Sequence, residues 1–448
     1  MTTATLRAPA PARLPALPAR MIPLCRRRLG LVPNRVDDLT ATRPVLSCGR
    51  MEIDELKATV CAEVDRWGDR LIDVAHQIHD HPELAYEEHA AHDLLTSVLD
   101  DAALAPERAA YGVPTAFRAE VGGEGPVVAV LCEYDALPGI GHACGHNVIA
   151  AAGLGAGLAA AALAREGVGR LVVLGTPAEE GGGGKIELAR RGAFAGIDAA
   201  MMVHPADADL TRMDCLAIQQ LDVDYQGEAA HAASAPHRGR NALDAAVLGY
   251  VNVAALRQHI RPTERVHGIF THGGDKPNVV PHRAATLWYV RSDSIQALQP
   301  LKARVLACLE AGAAATGCTC TSAWENRPYA EMVDSAPMLA AYAANSARLG
   351  REIREPDASS RVVGSTDMGN VSYLVPSIHP MIKVAPDGVP IHTPDFAGFA
   401  ITDAADRAVL DGAKAMAMTV VDLWAGEGVL DAARAEHRAA TAGVPVPI

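Results

Sequence analysis

The chain has 448 residues, 49% of them apolar and 21% charged, an ordinary globular composition with length enough for two domains. The formal net charge is -13, unevenly spread: residues 1–50 hold nine Arg, two Asp and neither Lys nor Glu, so the remainder of the chain carries -20. An acidic body without a basic face argues against nucleic acid and anionic membrane surfaces as partners.

Residues 1–50 contain seven prolines and no helical or strand period, so a disordered extension is expected there. No apolar core follows the arginines of "CRRRLG", and no secretory signal is read from them. Nine cysteines without a framework spacing suit the reduced thiols of a cytoplasmic protein. Met51 is the expected start, in preference to a targeting extension. From there "MEIDELKATVCAEVDRWGDRLIDVAHQIHDHPELAYEEHAAHDLLTSVLD" has helical apolar spacing.

Three similar units follow. "GPVVAVLCEYD" is an apolar run ending in acids, with a long Ala-rich helix after it from Asn147. "GRLVVLGTPAEE" precedes "GGGGKIELARRGAF", and "IDAAMMVHP" is a third run. Apolar strands alternating with helices predict a mainly parallel sheet sandwiched by helices, with ligands beyond the strands' carboxyl ends. The Ala/Gly-rich stretch 148–164 is not a convincing membrane span.

From about Leu216 the texture changes. Strand, helix, two strands, helix and strand follow through "CTCTSAWENRPY", the β-α-β-β-α-β order of a ferredoxin-like α+β unit. Parallel-sheet character resumes with "RVVGSTDMGN" and "HPMIKVAPD", and a helix near "ITDAADRAVLDGAKAMAMTVVDLWAGEGVLDAA" closes the fold. The expected division is a catalytic domain over 51–215 and 328–448, interrupted by a lid over 216–327.

Four polar clusters fall at strand ends or nearby loops: Asp135 with Cys144 and His146, the pair Glu179 and Glu180, His204 in "MMVHP", and His392 in "GVPIHTPDF". Each has an ordinary explanation. "CGH" suits a buried thiol beside a helix start, "EE" before glycines a solvated turn, and a histidine before proline a hydrogen-bonded loop. "GGGG" lacks the Lys-Ser/Thr of a phosphate loop. Their joint occurrence is more telling. A thiolate, three imidazoles and a carboxylate exceed the four ligands of a closed zinc site and suit two ions sharing a ligand and a water. Of two neighbouring glutamates, one can bind metal while the other acts as general base, which is the chemistry of amide hydrolysis.

The motifs "CEYDALPGIGHACGHN", "GTPAEEGGGGKIELARRGAF", "QGEAAHAASAPHRGRNALDA", "NVVPHRAATLWYVR" and "GSTDMGN" resemble the aminoacylase and carboxypeptidase-G family of dinuclear metallopeptidases. The resemblance covers about residues 55–425. It is strongest to the amidohydrolase branch with hippurate, auxin-conjugate and aminobenzoyl-glutamate hydrolases, and within it to the β-alanyl-lysine dipeptidase-like group. It implies Cys144, His146, Glu180, His204 and His392 as ligands of two divalent ions, zinc or manganese. It implies Glu179 as general base and Asp135 as an acid orienting a ligand. The peptidase branches have a ligand histidine where Glu133 stands, and their bridging aspartate is here Cys144. In the lid, His231 matches an oxyanion-stabilising histidine that acts across a dimer interface. Asn278, Arg291 and Arg327 match positions that hold the substrate's carboxylate end; the ordinary fate of such arginines is a surface salt bridge.

The expectation is therefore a homodimeric enzyme hydrolysing an amide of an N-acyl amino acid or an unusual dipeptide. The alternatives are an aminobenzoyl-glutamate-type amidohydrolase and, from another class, a non-catalytic metal-stabilised binding protein. An intact Glu179 argues against the latter, since a binder needs no base.

Overall fold

The computed structural model of the protein describes residues 52–357 and 362–448, with the backbone alone described at 325 and 326. The extension expected over residues 1–50 lies outside the described residues. The first helical stretch of the sequence is two helices, α1 (Ile53–Asp80) and α2 (His89–Asp101). The break follows from Pro82, which cannot continue a helix and disfavours helical backbone at the residue before it; His81 accordingly sits at φ -126°.

The main sheet begins with β1 (Glu107–Arg108), β2 (Phe117–Val121) and β3 (Val127–Cys132). Next come helix α3 (His146–Arg165), β4 (Arg170–Gly175), α4 (Gly184–Arg190), β5 (Ala199–Met201) and β6 (His204–Ala206). All six residues of β3 are buried, as a strand covered on both faces requires. Val128, Val130 and Cys132 join a core with α1, α3 and later helices. Val127, Ala129 and Leu131 meet the opposite core with residues of α4. Helix α3 is, among the described residues, the one helix long and apolar enough to cross a membrane. Within this fold 94% of its apolar window is buried, and it serves as the core helix.

After β7 (Asp214–Cys215) the chain builds a second sheet: β8 (Ala217–Gln226), α5 (Ala242–Leu256), β9 (Arg265–His272), β10 (Arg283–Ser292), α6 (Ile295–Thr316) and β11 (Thr319–Tyr329). The spatial order is β11-β8-β10-β9, all antiparallel, which is the ferredoxin-like arrangement expected from the sequence. Burial alternates along β8, and the buried set packs with α5 and α6 around Trp288 and Tyr225. Asn241 caps α5 by accepting from the backbone N–H of Leu243 and Asp244, and Ser294 caps α6 by accepting from Ala297.

The return comprises α7 (Ala336–Arg348), β12 (Val363–Gly364), α8 (Met368–Ser372), β13 (Ser377–Ile378), β14 (Met381–Lys383), α9 (Pro394–Phe399), α10 (Asp403–Ala425) and α11 (Val429–Ala440). Strand β13 completes the main sheet in the order β1-β2-β4-β3-β5-β13. Its β3, β4, β5 and β13 are parallel, and β2 and β1 form an antiparallel edge. The fold is thus the expected α/β sandwich with an inserted α+β unit. The segment "RVVGSTDMGN" supplies less strand than its apolar start suggests. Among its described residues only Val363 and Gly364 pair, with β7, before the chain turns into α8. β14 pairs with β6 in a small separate parallel ladder.

Candidate metal centre

The site forms where β3 and β4 end and where α3 and β6 begin. Beyond β3 the backbone turns through "LPGIGHACG", and Gly145 at φ 74° starts α3. A Cβ on Gly145 would lie 2.8 Å from the Pro205 ring, so only glycine allows this approach of the α3 start to β6. The turn places Cys144 and His146 in the interior, 6% and 0% exposed. His204 opens β6. His392 arrives on a loop at φ 63°, a left-handed conformation uncommon for a non-glycine residue, with its N–H bonded to the Ala143 carbonyl at 2.8 Å.

These side chains converge. Cys144 Sγ lies 3.4 Å from His204 Nε2 and 3.3 Å from His392 Nε2. His392 Nε2 is also 3.3 Å from Glu180 Oε1. His146 Nε2 lies 3.1 Å from Glu133 Oε1, 3.8 Å from Glu180 Oε1 and 4.0 Å from Glu179 Oε2. Three groups result with ligand atoms close enough for one ion: Cys144, His146 and His204; Cys144, Glu180 and His392; Glu133, His146 and Glu179. The first and third share His146, and the first and second share Cys144.

Neighbouring groups fix which atoms face the centre. Asp135 Oδ1 holds His146 Nδ1 at 3.1 Å, so Nε2 points inward. The other Asp135 oxygen accepts the backbone N–H of Glu180 at 2.8 Å, so one carboxylate orients two members of the cluster. His204 Nδ1 donates to the Pro205 carbonyl at 2.8 Å and leaves Nε2 toward Cys144. Glu88 Oε1 accepts the N–H of Ala178 at 2.8 Å and holds that residue at φ 60°, immediately before the glutamate pair. The Tyr329 hydroxyl donates to the Glu179 carbonyl at 2.8 Å.

The electrostatics are those of a cation site. Burial pushes the Cys144 thiol well above its ordinary 9.0, and the Glu180 charge adds to this. Burial also drives Glu179 well above 4.5, helped by the charges of Glu133, Glu180 and Asp367. Burial opposes charge on Glu180 too, but the His392 imidazole, 3.3 Å from Oε1, and His146 outweigh it and keep that carboxyl below 4.5. Glu133 Oε1, His146 Nε2 and Glu180 Oε1 are buried and make no hydrogen bond. Both oxygens lie within 4 Å of the imidazole nitrogen, and three such unsatisfied atoms are costly in the dry interior. Divalent cations would satisfy them and reverse the penalty on the thiolate, so the donor set fits two such ions.

The cluster lies on the wall of a cavity of about 770 Å³. Cys144, Glu179, Glu180, His204 and His392 line it from one side, and Arg291 and Arg327 from the inserted unit. His146 and Asp135 lie behind them, buried. Arg291 is half-buried and has no carboxylate partner among the described residues, while Arg327 Nη1 donates to the Ile448 carbonyl oxygen at 3.1 Å. His231 and Asn278 are not among the cavity's lining residues. They sit together on the inserted unit, where the Ala232 N–H bonds to the Asn278 carbonyl at 3.0 Å and His231 pairs with Val279.

Sequence reading passes over Glu88, Lys185, Tyr329 and Asp367, all of which touch the cluster or its supports. Their one signal is charge or a hydroxyl beside apolar runs, as in "GGGGKIELA" and "GSTDMGN". That signal is too common to single them out without the fold.

The profile described as Peptidase family M20/M25/M40 matches residues 129–419. A Mus musculus protein named Xaa-Arg dipeptidase is 42% identical over 402 residues, 86% of this chain and 93% of its own length. One of the subunits of the p-aminobenzoyl-glutamate hydrolase of Escherichia coli strain K12 is 32% identical over 452 residues, 85% of this chain and 94% of its own. Among solved structures, a Bacillus subtilis dinuclear metal-binding peptidase of the M20 family superposes with a TM-score of 0.63 at 21% identity. That superposition covers 80% of this chain and 99% of the other, a likeness of fold.

Proposed function

The chain belongs to the M20/M25/M40 peptidase family and is an enzyme that hydrolyses amide bonds, and from that premise we propose its substrate and its working residues. The substrate is a dipeptide or N-acyl amino acid whose free carboxylate adjoins the scissile amide. The observation that carries this reading is one cavity with metal-capable side chains on one wall and two guanidinium groups on the other.

Cys144, His146, Glu180, His204 and His392 hold two divalent ions, zinc or manganese. When bound, the ions polarise the amide carbonyl and lower the pKa of water. Everything else falls to the chain itself. Glu179 is the general base. Its buried carboxyl binds a proton far more tightly than a free glutamate, which suits a group that takes a proton and returns it to the leaving amine. Asp135 fixes the tautomer of His146 and the backbone of Glu180. Arg291 and Arg327 pair with the substrate carboxylate and set the distance to the amide. Arg291 is suited to this because its half-buried guanidinium lacks an acid among the described residues.

The unit over residues 216–327 is a lid and dimerisation domain, with His231 serving the neighbouring subunit's cavity. Its edge strand β9 leaves one side free of partners within the sheet, and Ile269 and Phe270 on it are 61% and 41% exposed. A cytoplasmic location accords with the seven described cysteines, all of which are free.

A second reading, an aromatic acyl group of the aminobenzoyl-glutamate type, draws support from the E. coli relative. Amine release from metal-loaded protein, measured across dipeptides with basic and neutral C-terminal residues, N-acyl amino acids and aminobenzoyl-glutamate, separates the two. Cleavage of aminobenzoyl-glutamate far ahead of every dipeptide would favour the second. Release from none of these compounds would sink both.

A further inference from the structure

Behind the candidate centre lies a charge cluster with no part in the roles above. Lys185 is fully buried. Its Nζ pairs with Glu133 Oε2 and, at 2.7 Å, with Asp367 Oδ1, while its backbone N–H donates to Asp367 Oδ2 at 2.8 Å. Glu133 and Asp367 are 1% and 0% exposed. One cation thus faces two anions in the dry interior, leaving a buried negative charge that needs a further counter-ion.

The surplus has a direction. Lys185 occupies only one oxygen of Glu133. The other, Oε1, is 3.1 Å from His146 Nε2, and neither atom makes a hydrogen bond. Asp135 already holds the opposite ring nitrogen of His146. The two atoms form no hydrogen bond with each other, and their spacing is that of two donors facing a common third body. Two donors at about 2.1 Å from one ion lie roughly 3.0–3.4 Å apart, as Glu133 Oε1 and His146 Nε2 do. The acids of this region also number enough for two dications. Glu133, Asp135, Glu179, Glu180 and Asp367 with the Cys144 thiolate face Lys185 as the one buried ammonium among them.

We propose that Glu133 is a sixth protein donor to the metal pair, and that Lys185 and Asp367 are positioning residues that turn its free oxygen onto the ion held by His146. This rests on the dinuclear reading given above. It makes the two positions unequal. The ion near Glu133 has oxygen-rich, hard surroundings, and the ion near Cys144, His204 and His392 has soft ones. Lys185 neutralises the far oxygen, so the carboxylate stays oriented in the absence of metal.

The test is zinc binding alone, by dialysis at graded free zinc with metal counted per chain, together with melting of the metal-free protein. If the wild type never holds two ions, the dinuclear reading fails. Given two ions, Glu133→Gln should weaken one of the two affinities roughly 10–100-fold and leave the other within about threefold. The triple change Glu133→Gln, Lys185→Met and Asp367→Asn removes both acids and the ammonium together, strands no charge of this buried triad, and should give the same split. Unchanged affinities for both ions in a folded variant overturn the proposal, as does a lower melting temperature with zinc binding intact, the mark of a merely structural triad. A crystal structure of the zinc-loaded wild type decides it without any variant. Glu133 Oε1 is expected within roughly 2.7 Å of an ion, and any greater separation overturns the assignment.

Discussion

At the scale of single residues, the glutamate pair shows how position divides two identical side chains. Contacts with His392 and His146 hold the Glu180 carboxyl below the ordinary range, while burial and the neighbouring carboxylates push Glu179 well above it. Glu179→Gln is therefore expected to bind both metals with near-normal affinity and lose about 10²–10⁴-fold in turnover, read from amine release and metal content on the same sample. A variant retaining near-normal rate would remove Glu179 from the chemistry. Glu88 offers a pH test one layer back. Burial pushes its carboxyl from 4.5 up to about 7. Between those values the folded chain keeps a proton that the unfolded chain releases, so stability falls as pH rises through that window and levels off above it. Glu88→Gln keeps an acceptor for the Ala178 N–H and removes the titration. In the metal-free state the variant should melt above the wild type at pH 8, by on the order of 1–3 kcal/mol, and match it near pH 4. Equal differences at both values would show that Glu88 does not titrate in this range.

At the scale of elements, the site depends on how closely α3 approaches the sheet. A Cβ on Gly153 would sit 2.4 Å from the Leu131 carbonyl oxygen, close in the chain to Glu133. Alanine is the better helix former by about 1 kcal/mol, but forcing a core apart costs typically 1–3 kcal/mol, and here the obstacle is backbone rather than a movable side chain. Gly153→Ala should therefore lower the melting temperature despite its helix propensity. Gly398 in α9 provides the contrast, because nothing lies within 4 Å of its added Cβ. Gly398→Ala should leave the melting temperature unchanged or raise it. The inserted sheet carries the third element-scale expectation. If Arg291 and Arg327 grip a carboxylate, amidating the substrate's C-terminus should reduce kcat/KM about ten- to a hundredfold. Arg327→Ala should then cost a similar factor on the acid and little more on the amide. Equal cleavage of acid and amide by the wild type would return both arginines to surface roles.

At the scale of the whole molecule, one surface stands out. Val247, Leu248 and Val251 on α5 are exposed by 39–54%, on the same inserted unit as the open edge of β9. Pairing of two copies there would cover this apolar face, and the dimer proposed above requires that it also bring His231 to a neighbour's cavity. If the wild type sediments as the proposed dimer, Val251→Glu should convert it to monomer and reduce turnover with it. Mixing His231→Ala with Glu179→Gln chains should restore some activity, since a mixed dimer holds one cavity with both groups intact. Absence of recovery in verified heterodimers would confine His231 to its own subunit or exclude it from catalysis.

Alternation and spacing in the sequence were enough to determine the α/β layers and the inserted β-α-β-β-α-β unit, because burial on one or both faces imposes a period on each strand and helix. The motifs around Cys144, His146, Glu179, Glu180, His204 and His392 were legible for a related reason: thiol, imidazole and carboxylate side chains beside turn glycines are few and distinctive. Other features needed the tertiary structure. Pro82 splits the first helical run, and "GSTDMGN" bends into α8, where local apolar pattern alone reads as continuous helix or strand. The pairing of Lys185 with Glu133 and Asp367 joins residues 52 and 182 positions apart. Nothing in the period of a strand or the cap of a helix marks such a contact. Buried charges are held by partners that only folding brings within reach, so where Glu133 points was decided by packing rather than by its neighbours in the chain.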